Sequence, residues 1–255
     1  MSPVLPVLMY HSAPESGPGS HLAVPRGLID RQWHALGSDG WTLRGLTEAL
    51  ALSRADPAAR IVAVTFDDGY RDFLGIPDLL AKHDARATLY LPTSYPDIAE
   101  RGQSPWLSWQ ETASLPGELV EIGSHAHAHR PLDVLPQADL DYEVRHSRQL
   151  LTDRLGAEPR SFCYPNGYSS HRVRRAVSAA GYSNACVIGR WIADPAGPSY
   201  AVPRLQVTPA HDETSILRLV RSGETGWTPA LKRIAYPAWR MARFATYRAT
   251  GKMLT

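Results

Sequence analysis

Apolar residues along the chain gather into short, nearly unbroken runs: Val4–Tyr10, Ile61–Phe66, Ala87–Pro92, Leu119–Gly123, Ser161–Tyr164, Ser183–Ile188 and Ala201–Val207. Several are continuous rather than alternating, which predicts strands buried on both faces. Helix-like stretches separate them: Gly27–Leu36, Leu46–Arg54, Tyr70–His83, Gln110–Leu115, Ala138–Leu155, His171–Ala180 and Thr214–Arg221. The clearest is Ala138–Leu155, where Leu140, Val144, Leu151 and Leu155 recur at roughly helical spacing until Gly156 and Pro159 stop it. Seven strands alternating with helices predict an α/β fold built on a parallel sheet, either open or closed into a barrel. In both, chemistry collects where strands end and loops begin.

Composition narrows this picture without redirecting it. With 255 residues and 44% hydrophobic side chains, the chain can bury one sizeable core and is not disordered over most of its length. Its net charge of +2 provides no global field for nucleic acid. Two cysteines, Cys163 and Cys186, with no Cys-x-x-Cys, exclude a disulfide framework and a thiolate zinc site, and no chemistry is assigned to either. No apolar stretch approaches the ~18 residues of a membrane span, and Val4–Tyr10 reads as a first strand rather than a secretory leader. The expectation is therefore a soluble protein of the cytoplasm.

Two clusters carry candidate chemistry. Thr65-Phe66-Asp67-Asp68-Gly69 closes the strongest strand with adjacent carboxylates, a costly arrangement unless a cation or a division of labour separates their charges. Glu121-Ile122-Gly123-Ser124-His125-Ala126-His127-Ala128-His129 again follows a strand, with Gly123 allowing the turn. His125 and His129 are four apart, a separation at which two imidazoles can converge on one ion. Two histidines and one aspartate form a two-His-one-carboxylate set with positions open for water and substrate, and the second aspartate is free to act as a base.

With Phe162-Cys163-Tyr164-Pro165-Asn166-Gly167, these motifs occur in the order seen in polysaccharide deacetylases, carbohydrate esterase family four, which the chain resembles from about Val4 to Gly223. The resemblance implies a distorted (β/α) barrel of about seven parallel strands that removes N- or O-acetyl groups from glycans. It implies Asp68, His125 and His129 as metal ligands, Asp67 as the base and one divalent ion, zinc, with cobalt or nickel as alternatives. The third motif usually reads Arg-x-Pro-Tyr; here Cys163 stands at the arginine and Asn166 at the tyrosine. The oxyanion-binding N–H survives at Asn166, being main chain, and Arg204 is the candidate for the missing arginine. The late Leu-x-His motif that supplies the acid is missing as well. Pro6-Val7-Leu8-Met9-Tyr10-His11 resembles the first strand of a permuted, exopolysaccharide-type branch in which this early histidine is the acid, and His211 is the alternative.

The implied partner is an N-acetylated glycan or lipid-linked sugar, with Trp106, Trp109 and Trp191 as candidate stacking surfaces. Two other readings stay open: the same architecture acting on a non-glycan amide, or a non-catalytic glycan-binding barrel. The chain divides into a barrel over 1–224 and a tail over 225–255 with six Lys/Arg and no acid. Within it, 231–248 interleaves cations with Tyr236, Trp239, Phe244 and Tyr247, a mixture suited to peripheral contact with the inner membrane face.

Overall fold

The computed structural model describes residues 4–16, 20–223 and 246; the tail segment 231–248 proposed for membrane contact lies outside the described residues, apart from residue 246. Eight strands, β1 Val7–Tyr10, β2 Thr42–Arg44, β3 Ile61–Phe66, β4 Ala87–Leu91, β5 Val120–Ser124, β6 Ser161–Cys163, β7 Asn184–Ile188 and β8 Val202–Gln206, alternate with helices. These are α1 Arg26–Ser38, α2 Leu46–Ala55, α3 Ile76–Lys82, α4 Tyr95–Ala99, α5 Trp109–Ala113, α6 Gln137–Leu155, α7 His171–Ala179 and α8 Glu213–Ser222. All seven expected strands are present. The ring closes because β1 pairs in parallel with both β8 and β3, making a barrel of seven parallel strands.

The eighth strand, β2, explains the distortion. It pairs with Ile61–Ala63 at the start of β3, on the edge that β4 takes over at Thr65 and Phe66. The Arg86 N–H donates to the Leu43 carbonyl at 3.1 Å and ties the two together. The sequence pattern did not reveal β2, because three residues are too few to show a period.

Continuous apolar runs have the cause expected of them. Alternate residues of the same strands serve two cores. Val7, Ile61, Ala63, Tyr90, Cys186 and Val202 fill the barrel interior. Leu8, Tyr10, Val62, Val64, Phe66 and Leu205 pack outward against Ile29, Trp33, Ile76, Leu80 and Ile216 of the helices. Gly123 has a different role from the turn expected of it. It lies inside β5, and a Cβ there would stand 2.6 Å from the ring of Tyr90, its paired residue on the adjacent β4, so the glycine makes room for that ring. Among the described residues, no helix is long and apolar enough to cross a membrane.

Candidate active site

The rim formed by the C-terminal ends of the strands carries both motifs. β3 delivers Asp67, whose N–H donates to the Tyr10 carbonyl at 3.0 Å; the chain then turns sharply through Asp68 (φ 72°) and Gly69 (φ 64°). β5 delivers His125, whose N–H donates to Leu91 at 3.0 Å, and the following loop passes through two more left-handed residues, Ala126 and His129. His125 Nδ1 lies 2.8 Å from the Cys163 carbonyl, so Nδ1 must carry the proton and Nε2 presents its lone pair.

Three donor atoms converge. Asp68 Oδ1 lies 3.6 Å from His125 Nε2 and 3.4 Å from His129 Nε2, and the two imidazole rings stand at 80°. Donors that share an ion at about 2.0–2.2 Å sit roughly 3–3.5 Å apart, so the set fits one divalent cation. Burial, reinforced by His129, pushes the His125 imidazole down to about 3, and burial lowers His129 as well; both stay neutral at ordinary pH, as ligation requires.

Asp67 is 3% exposed, and Arg204 grips it with both arms of its guanidinium: Nη1 to Oδ1 at 2.6 Å and Nη2 to Oδ2 at 2.7 Å. Arg204 also donates to Thr65 Oγ1 and to Cys163 Sγ, and it lies 5.6 Å from the Tyr90 ring centroid. Burial alone would raise the Asp67 carboxyl, but the charge and hydrogen bonds of Arg204, helped by His125 and His11, hold it well below the usual carboxylate range. Burial and the Asp67 charge push Asp68 up to about 6. The neighbours are thus driven apart, as a division of roles demands.

The remaining expectations sort clearly. His11 stands beside the site, with Nε2 4.0 Å from Asp67 Oδ2 and a buried Nδ1 without a hydrogen-bond partner among the described residues. His211 is engaged in its own loop, where Nδ1 accepts from the Thr208 N–H at 3.0 Å. His127 turns away to Thr93 Oγ1, packed against His146 and Tyr142. Asn166 lies exposed just past β6 in a left-handed turn (φ 57°). Trp109 is core, its indole N–H on Asp97 at 2.7 Å, and Trp191 is half exposed. Trp106 stacks on Tyr95 at 4.2 Å, and the Tyr95 ring is 6.2 Å from His129, so this pair forms one wall beside the triad.

Three residues of the site leave no clear mark in the sequence. Cys163, to which no chemistry was assigned, places Sγ 3.6 Å from Asp67 Oδ2 and 3.9 Å from His125 Nε2. Tyr95 sits on α4, a five-residue helix with no visible period. Glu143 is buried within α6 behind the histidine loop.

Known proteins bear on this arrangement at two levels. The family model described as polysaccharide deacetylase matches residues 54–185. That span holds Asp67, Asp68, His125, His129, Cys163 and Asn166, while His11 and Arg204 lie outside it. YxkH of Bacillus subtilis (strain 168), named provisionally as a polysaccharide deacetylase, is 25% identical over 209 residues, 80% of this chain and 72% of its own. The Streptococcus pyogenes deacetylase PplD, solved with acetate, aligns with a TM-score of 0.76 at 21% identity over 86% of this chain and 99% of its own. A de-N-acetylase from Aggregatibacter actinomycetemcomitans aligns at 0.73 and 18% identity, over 84% and 99%. At such identities the structural likeness establishes the shared fold.

Proposed function

The chain belongs to the polysaccharide deacetylase family, and from that membership we propose that it is a metal-dependent hydrolase removing N-acetyl, or O-acetyl, groups from a glycan or lipid-linked sugar. The observation that carries this reading is the Arg204–Asp67 fork set directly beside the Asp68–His125–His129 triad. A divalent ion on that triad, zinc by the imidazole-and-carboxylate donor set, with cobalt or nickel as alternatives, would supply Lewis acidity toward water and the acetyl carbonyl.

The chain's own residues do the rest. Asp67, kept ionised, takes the proton of the attacking water, and the planar grip of Arg204 fixes which lone pair faces it. The Asn166 N–H serves the oxyanion that develops on the carbonyl oxygen. As the C–N bond breaks, His11 gives a proton to the departing nitrogen and acetate leaves. Tyr95 and Trp106 offer aromatic surface for the sugar ring at the side of His129. Arg204 takes the place of the arginine missing from the third motif, with Cys163 leaving space for it to reach Asp67.

Acetate release from a panel of N-acetylated glycans and lipid-linked sugars tests the proposal. Release should stop with a chelator and return with added zinc. Turnover confined to non-glycan amides, or none from the zinc-loaded chain, would overturn it. A second measurement assigns the acid: His11→Ala is expected to slow turnover by about 10²–10⁴-fold, with His211→Ala near the unmodified rate. The reverse order would move the acid to the C-terminal side.

A further inference from the structure

Glu143 is a buried acid that the reaction does not use. It is 1% exposed, on the first half of α6. Arg130 Nη1 is 3.9 Å from its Oε1, beyond hydrogen-bond reach. Its other oxygen, Oε2, accepts two backbone N–H groups, from His127 at 3.0 Å and from Ala128 at 2.8 Å. Those amides belong to the loop that joins His125 to His129. That loop is conformationally costly, because Ala126 (φ 65°) and His129 (φ 53°) both occupy the left-handed region without being glycine.

Two of the loop's carbonyls and the His127 ring are held by Thr93 and Ser94. The Thr93 N–H donates to the Ala126 carbonyl at 3.2 Å, the Ser94 N–H donates to the His127 carbonyl at 2.9 Å, and Thr93 Oγ1 lies 2.9 Å from His127 Nδ1. The loop is therefore clamped between the β4–α4 junction, which holds the Ala126 and His127 carbonyls, and a carboxylate, which holds the His127 and Ala128 amides. Charged acceptors make the stronger hydrogen bonds to N–H groups, and a strained loop keeps its shape only where its surroundings over-determine it.

We propose that Glu143 is a positioning residue for the metal centre, holding the 126–128 backbone so that His125 and His129 meet Asp68 in register. This rests on the reading of that triad as metal ligands. Glu143 touches neither the ion nor the substrate. Its removal lets the loop relax toward ordinary backbone angles, and ion binding must then reorder it.

Metal affinity, measured on the stripped chain by competition between zinc and a chromophoric chelator, separates the outcomes. The unmodified chain should bind one zinc, and Asp68→Asn should lose it. Glu143→Ala should weaken zinc binding by about 10–100-fold, the range typical of groups that orient metal ligands. Glu143→Gln should fall between, because its amide oxygen still accepts from both N–H groups but carries no charge. Unchanged affinity in a folded Glu143→Ala overturns the positioning role and leaves the triad intact. If Glu143→Ala does not fold, Glu143→Gln decides: full affinity overturns the proposal, and weakened affinity at an unchanged melting temperature supports it. An unmodified chain that binds no zinc removes the ligand reading itself, and this proposal with it.

Discussion

Asparagine at position 67 is expected to cut turnover by about 10²–10⁴-fold while zinc still binds with unit stoichiometry. In the proposed reading the ligand atoms belong to Asp68, His125 and His129, and Asp67 stands beside them, gripped by Arg204. The amide matches the carboxylate in shape but cannot take a proton from water. It also cannot accept both guanidinium arms, so Arg204, 1% exposed, is left short of its counterion. Breaking a buried pair in this way costs about 3–5 kcal/mol, so the variant should melt lower as well as turn over slowly. Rates and zinc stoichiometry therefore belong at a temperature where circular dichroism shows the chain folded. Turnover within a few-fold of the unmodified chain, under those conditions, would remove Asp67 from the base role.

What the sequence made legible follows from how locally each feature is written. The seven barrel strands were readable because burial on both faces suppresses alternation, leaving short apolar runs between helices. The histidines were readable because both lie within five residues of one loop. Arg204 is another matter. Its partner Asp67 is 137 positions away, and an arginine between Pro203 and Leu205 looks like a surface residue on an edge strand. Only the gap left at Cys163 in the third motif pointed to it. Closure of the barrel removes the edge and turns position 204 inward, between β7 and β1.

Glu143 carries a signal only in its helical spacing. Leu140, Val144 and Leu151 mark the inward stripe of α6, and Glu143 and Ser147 lie on the same stripe by helical spacing. A carboxylate on a buried face needs a partner, because a buried charge is tolerated only when hydrogen-bonded. The sequence does not say which partner. The two loop amides that satisfy it come from fifteen and sixteen residues earlier, across the β5–α6 connection.

The largest change in stability is expected from Arg204→Met, which keeps an apolar stem of similar reach and deletes the charge. Asp67 then stays buried without a cation in contact, and burial, which already acts to raise its carboxyl, goes unopposed by Arg204. In the unmodified chain the folded-state pKa of Asp67 is depressed. Its contribution to stability is fully present above the unfolded value of about 3.9 and is lost as pH falls toward the folded value. In the variant the folded pKa lies above the unfolded one. Stability is then greatest below about pH 4 and declines as pH rises through the new folded pKa. The two proteins should converge only in strong acid, where Asp67 is protonated in both. From about pH 4 upward the unmodified chain's contribution is flat while the variant's declines. The gap therefore widens to about 3–5 kcal/mol at neutral pH, where Asp67 is ionised in one and costly to ionise in the other. The acid limb of the pH–rate profile should shift upward in parallel, since the base must lose its proton before it can act. Melting curves collected from pH 4 to 8 decide the matter. Curves for the two proteins that run parallel across that range would mean that Arg204 contributes by packing against Cys163 and Tyr90 alone, and not through the charge of Asp67.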